Sequence, residues 1–122
     1  MLRILAAAVL TAAGAFAGTW TGALVDAKCY AAQERNVSPR DTLTSIDRDR
    51  DYEIRYCRPG AKTTLFAIVD HDGQVLELDP SSSARAEEIA KKVAKPGWVN
   101  VTVTGERKTK TIQVDSISLT AP

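Results

Sequence analysis

The stretch from Gln74 to Thr104, QVLEL-DPSSS-ARAEEIAKKVA-KPG-WVNVTVT, decides the fold. It opens as a strand, Gln74 to Leu78, and breaks at Asp79-Pro80-Ser81-Ser82-Ser83. Ser82 or Ser83 is placed to cap a helix through its hydroxyl. Ala84 to Ala94 then carries Ala86, Ile89, Ala90 and Val93 at spacings of three and four, which is one apolar helix face. Glu87 and Glu88 lie towards its start and Lys91, Lys92 and Lys95 at its end, the polarity that suits a helix dipole. Pro96-Gly97 stops the helix, and Trp98 to Thr104 resumes as an alternating strand.

Reading outward from this unit adds three more strands. Upstream, Ala61 to Val69 holds the apolar run Leu65-Phe66-Ala67-Ile68-Val69. Asp70-His71-Asp72-Gly73 then makes a turn whose Asp-Gly pair predicts a hairpin with Gln74 to Leu78. Downstream, Gly105 ends the Trp98 strand and Arg107-Lys108-Thr109-Lys110 forms a charged turn into Thr111 to Leu119. In that last strand the Ile112/Val114 phase slips to Ile117/Leu119, which predicts a β-bulge. Further back, Thr19 to Asp26 alternates around Trp20, Gly22 and Leu24, with the glycine marking a bend or bulge. Between Lys28 and Gly60 no pattern holds. A short helix near Thr42–Asp49 is the one element expected in that long loop. Five strands with a helix between the third and fourth is the topology of the OB-fold, a small Greek-key barrel. Mainly β, with closed edges, is the expected class.

The N-terminus reads as an export signal. Met1-Leu2-Arg3 is followed by an apolar run from Ile4 to Ala13, and Ala15-Phe16-Ala17 supplies the small residues of a cleavage site before Gly18. The run is too short for a spanning helix, which needs about 20 apolar residues. Residues 1–17 are thus a leader and 18–122 one domain, secreted or periplasmic. No Cys follows the cleavage site to carry a lipid anchor. The leader holds Arg3 and no acid, so the remaining chain balances 15 basic against 15 acidic residues. A neutral domain has no global field to draw it to nucleic acid or anionic membrane.

Both cysteines of the chain, Cys29 and Cys57, lie beyond the leader, and in an exported domain they are expected to pair. A reactive redox pair would instead show Cys-x-x-Cys spacing. The bridge pins the two ends of the 28–60 loop.

At this point the chain resembles a family. Trp20-Thr21-Gly22-Ala23-Leu24-Val25-Asp26-Ala27-Lys28-Cys29 is similar to the Trp-x-Gly-x-apolar-x-Asp-x-x-Cys opening of small secreted bacterial OB-fold-like proteins without assigned chemistry. Cys57-Arg58-Pro59-Gly60-Ala61-Lys62, Asp72 to Leu78, Val99 to Gly105 and Ile112 to Ile117 follow in the same order. The resemblance implies a fold and a compartment. That family's pattern often adds a Cys or His after the first Cys; this chain has neither there, which argues against a metal role.

Candidate chemistry is sparse. Asp47-x-Asp49-x-Asp51 alternates like a calcium loop, but Tyr52 and Arg58 stand where an EF-hand needs Gly and Glu. His71, the single histidine, lies in a turn between Asp70 and Asp72, so a three-histidine zinc site within the chain is impossible. No nucleophile elbow or phosphate loop is present. No cofactor and no enzyme activity are expected. In an OB-fold the loops after strands one and four flank the binding face. Here these are the 28–60 loop and the Arg107-Lys108-Thr109-Lys110 turn. Arg107, Lys108 and Lys110 would supply charge, and Tyr52 and Tyr56, with Tyr30 and Phe66, stacking surface. The expected function is a binding module for an acidic small molecule, glycan or peptide at the barrel rim. The alternatives are an envelope-stress or inhibitor protein acting on an envelope partner through the 28–60 loop, and a hydrolase.

Overall fold

The computed structural model describes residues 15–35, 46–93 and 97–120. Five strands close into a barrel in the order β1-β2-β3-β5-β4, with β1 Ala15–Asp26, β2 Phe66–Val69, β3 Val75–Leu78, β4 Asn100–Lys108 and β5 Thr111–Leu119. All neighbours run antiparallel except β3 and β5, which are parallel through Glu77↔Thr111 and Leu78↔Ile112. A 3-10 turn, Pro80–Ser82, and a helix, Ser83–Lys91, lie between β3 and β4. This is the OB-like arrangement that the strand order predicted.

The inward residues of each strand make the first core. Leu24, Ile68, Leu76, Val101, Val103 and Ile112 are essentially removed from solvent, and Ala86 of the helix is buried in the same cluster. Burying each such aliphatic side chain stabilises the fold by about 1.5–3 kcal/mol before entropy is subtracted. The outward residues of β1 and β2 are equally buried. Ala23, Val25, Ala67 and Val69 pack beneath two further helices, α1 Ala27–Arg35 and α2 Ile46–Tyr56, which contribute Ala27, Tyr30 and Ile54. β2 is therefore buried on both faces, which is why its sequence is continuously apolar and does not alternate. The helix after the 3-10 turn is α3.

The 28–60 segment thus corrects the expectation of a largely irregular loop. α1 starts at Ala27, one residue after β1, because the Asp26 carboxylate accepts the Cys29 N–H at 3.1 Å as an N-cap. The expected helix at 42–49 lies partly outside the described residues; the observed one runs Ile46–Tyr56. Cys29 and Cys57 form the disulfide, with Cα atoms 5.5 Å apart, and no free cysteine remains among the described residues. Arg58, next to the bridge, extends its guanidinium to the carbonyls of Ala90, Val93 and Gly97 and so caps the end of α3. The disulfide ties α1 to the end of α2, the Cys57 carbonyl accepts the Asp26 N–H of β1 at 2.8 Å, and Arg58 ties the cover to α3.

The serine cap is a second correction. Ser82 donates its hydroxyl to the Asp79 carbonyl at 2.7 Å, inside the 3-10 turn, and makes no side-chain cap to α3. The bulge stands where the phase slip put it. Thr104 pairs with Ser116 but Gly105 with Val114, leaving Asp115 as the extra residue. Its surroundings satisfy the interrupted ladder: the Asp79 carboxylate accepts the Val114 N–H at 2.9 Å, and Arg85 donates to the Asp115 carbonyl at 3.0 Å. Gly105 is required there because a Cβ would sit 2.1 Å from the Gln113 carbonyl oxygen. Gly22 lies where β1 passes from β4 to β2, and a Cβ would sit 2.6 Å from the Val69 carbonyl oxygen.

Most of the expected leader lies outside the described residues. Its last three residues, Ala15–Ala17, pair with Lys108, Arg107 and Glu106. Cleavage before Gly18 would shorten β1 there and leave its pairing with β2 intact.

Candidate functional site

The expected rim residues fall into separate groups. Arg107, Lys108 and Lys110 lie on the β4–β5 hairpin, whose turn residue Thr109 has a φ of 58°. The Arg107 side chain folds back on that turn and donates to the Thr109 carbonyl at 2.7 Å. Tyr52 and Tyr56 stand one turn apart on α2, 60 % and 62 % exposed, with their rings stacked at 6.0 Å. Tyr30 is beneath the helices, where burial and the charges of Glu34 and Glu53 push its hydroxyl up to about 12. Phe66 points into the barrel. Among the described residues no hydrogen bond, ion pair or ring contact joins the tyrosine pair to the basic hairpin. His71 is exposed in its turn, 3.5 Å from Asp72. Asp51 belongs to a helix and not to a calcium loop, and no group of three or more His, Cys, Asp or Glu able to hold a metal occurs among the described residues.

Clefts indent the surface of the described residues. One of about 230 Å³ lies between α3 and the Arg58–Ala61 segment; its Arg58 is engaged with α3 carbonyls, and Glu87 pairs with Lys91 at 3.4 Å. Another of about 330 Å³ lies beside the disulfide, where Asp26 accepts the Cys29 N–H and the Thr63 hydroxyl. The third, about 420 Å³, is bounded by α2, β1, the β2–β3 turn and Trp98. Its size suits a small ligand.

The Trp98 cleft differs chemically from the other two. The indole Nε1 of Trp98 is buried and has no hydrogen-bond partner among the described residues. A buried donor left without a partner costs about 1–3 kcal/mol, and such a group calls for an explanation. The cleft is also lined by Arg50, Asp51, Asp70 and Asn100. Arg50 donates to the His71 carbonyl at 2.9 Å, which ties α2 to the β2–β3 turn. Asp70 directs one carboxylate oxygen to the Asp72 and Gln74 N–H groups, at 2.9 Å each, and so fixes that turn. Arg55 lies over the Trp98 ring at 5.9 Å, close enough for a cation–π contact. The walls are therefore braced by hydrogen bonds, while one donor faces no acceptor.

Sequence reasoning missed this site. In the sequence Trp98 is the first residue of an alternating strand, and Asp51 is the last acid of a run that fails as a calcium loop. The cleft exists only after α2 folds back onto β1, an arrangement that no local pattern announces. No family model matches the chain, and no curated protein or solved structure is significantly similar to it.

Proposed function

We propose that the chain is an exported, non-enzymatic binding module whose ligand occupies the Trp98 cleft. The observation that carries this reading is a cleft with braced walls whose lining includes Trp98, a residue with a buried indole N–H that has no partner among the described residues. Export is supported by the leader-like N-terminus and by a disulfide that suits an oxidising compartment. No described helix is long and apolar enough to cross a membrane. The basic hairpin carries less of the reading, because Arg107 is engaged with its own turn.

A thermal-shift screen with sugars, carboxylic acids, amines and phosphates tests it. A stabilising compound should lose its effect in Trp98→Phe and keep it in the Arg107→Ala/Lys108→Ala variant. A compound with the opposite dependence, or no stabilising compound of any class, overturns the assignment.

One further observation favours a second reading. The stacked, exposed Tyr52–Tyr56 pair is the kind of amphipathic aromatic surface enriched at protein interfaces. An envelope partner would then dock on α2. Pull-down from envelope extract with Tyr52→Ala/Tyr56→Ala separates this reading from the first, since those side chains do not bound the Trp98 cleft.

A further inference from the structure

Resting on the Trp98 cleft as the binding site, we infer that its ligand is a neutral oligosaccharide that continues from the cleft across the outer face of β1, β4 and β5. The first ground is charge. Asp51 and Asp70 stand beside Arg50 in the cleft wall, so neither an anion nor a cation meets a single-signed surface. A carboxylate or phosphate would face two aspartates, and an ammonium would face Arg50. The second ground is hydrogen-bond polarity. The Arg50 guanidinium can only donate, the carboxylates can only accept, and the Asn100 amide does both. One ligand group that answers all three is a hydroxyl, which donates and accepts at once.

The third ground is what adjoins the cleft. Thr21 forms part of its wall, and from Thr21 a row of hydroxyls runs over the sheet. Thr21 meets Thr102 at 3.4 Å and Thr102 meets Thr120 at 2.9 Å. One row along, Thr19 pairs with Thr104, whose hydroxyl bonds that of Ser116. Thr-x-Thr in β1, Thr-x-Thr in β4 and Ser-x-Ser in β5 are thus aligned side by side. Strands about 4.8 Å apart make this face roughly 10 Å wide. That is room for further sugar rings beyond the one in the cleft. A peptide could also donate and accept, but it commonly binds by adding to a free sheet edge, and this barrel is closed.

Isothermal titration of the disulfide-bonded chain, using cellulose, chitin and maltose oligomers from dimer to hexamer, tests the inference. Citrate, inorganic phosphate and an uncharged pentapeptide serve as controls. One oligomer series should bind, with the hexamer about fivefold or more tighter than the dimer, and with affinity unchanged between about 50 and 500 mM NaCl because no charge is screened. Trp98→Phe and, separately, Asp51→Asn should each weaken it about tenfold. Thr102→Val should weaken the hexamer and spare the dimer. Asp51→Asn guards against misfolding of the tryptophan variant. If an anion or the peptide binds in a Trp98-dependent way while every saccharide is silent, the sugar inference falls and the cleft assignment stands. If no probe binds in a Trp98-dependent way, both fall.

Discussion

Reducing the Cys29–Cys57 bond should lower the melting temperature of the domain by about 15–25 °C. The bridge spans a sequence separation of 28. Chain entropy then assigns it about 3.5 kcal/mol, through the freedom it removes from the unfolded chain. For a domain of this size each kcal/mol moves the melting point by roughly 4–8 °C. The native state adds to the effect. Cys57 is buried in the second core and its neighbour Arg58 caps α3, so loosening residue 57 loosens that cap as well. The barrel core of Leu24, Ile68, Leu76 and Ile112 contains no part of the bridge, so the reduced protein should still fold below its lowered transition. Calorimetry with and without a phosphine reductant, and of Cys29→Ser, measures this directly. A shift under about 5 °C in both would refute the argument, because it would mean that Tyr30 and Ile54 alone anchor the α1–α2 cover.

Three other perturbations discriminate among the packing claims. Gly105→Ala should cost about 3 kcal/mol or more in denaturant unfolding, since its Cβ meets backbone at the bulge, while Gly60→Ala, where a Cβ meets nothing within 4 Å, should be neutral. Arg58→Ala should cost about 2 kcal/mol and speed amide exchange in α3, because the Val93 and Gly97 carbonyls lose the Arg58 donor. Burial pushes the Asp79 carboxyl up, but the Ser81 hydroxyl, the Val114 N–H and the Arg85 charge outweigh it and hold the group below its usual range. A depressed carboxylate contributes stability above its unfolded pKa of about 3.9 and loses it as pH falls through the folded value. The melting-point gap between the parent and Asp79→Asn should therefore be full near neutrality and close under acid; a gap independent of pH contradicts that role.

Much of the barrel was legible because its strands are locally self-consistent. Thr111 to Leu119 has the bounds read from its alternation, and the Ile112/Val114 to Ile117/Leu119 slip announced a bulge, which the structure places at Asp115. The Asp-Gly hairpin and the helix after Pro80 follow from turn and capping chemistry, although the serine cap itself gives way to a 3-10 turn. The α1–α2 cover was not legible. Among the described side chains of α1 only Ala27 and Tyr30 are buried, and among those of α2 Ile54 is buried where Tyr52 and Tyr56 are exposed. Their burial comes from the outer face of β1 and β2, a long-range match that alternation along one strand does not reveal. The same holds for the candidate site. Arg107, Lys108 and Lys110 were conspicuous as a charge run, whereas Trp98, Arg50 and Asp51 gain meaning only as neighbours across the cleft.

The most direct measurement is the indole N–H resonance of Trp98 in a proton–nitrogen correlation spectrum, followed as a stabilising compound is added. Trp20 packs against the barrel core and provides the internal reference. The Trp98 signal should move and saturate with the ligand while the Trp20 signal stays in place. A saturating ligand that leaves the Trp98 signal unmoved would contradict it.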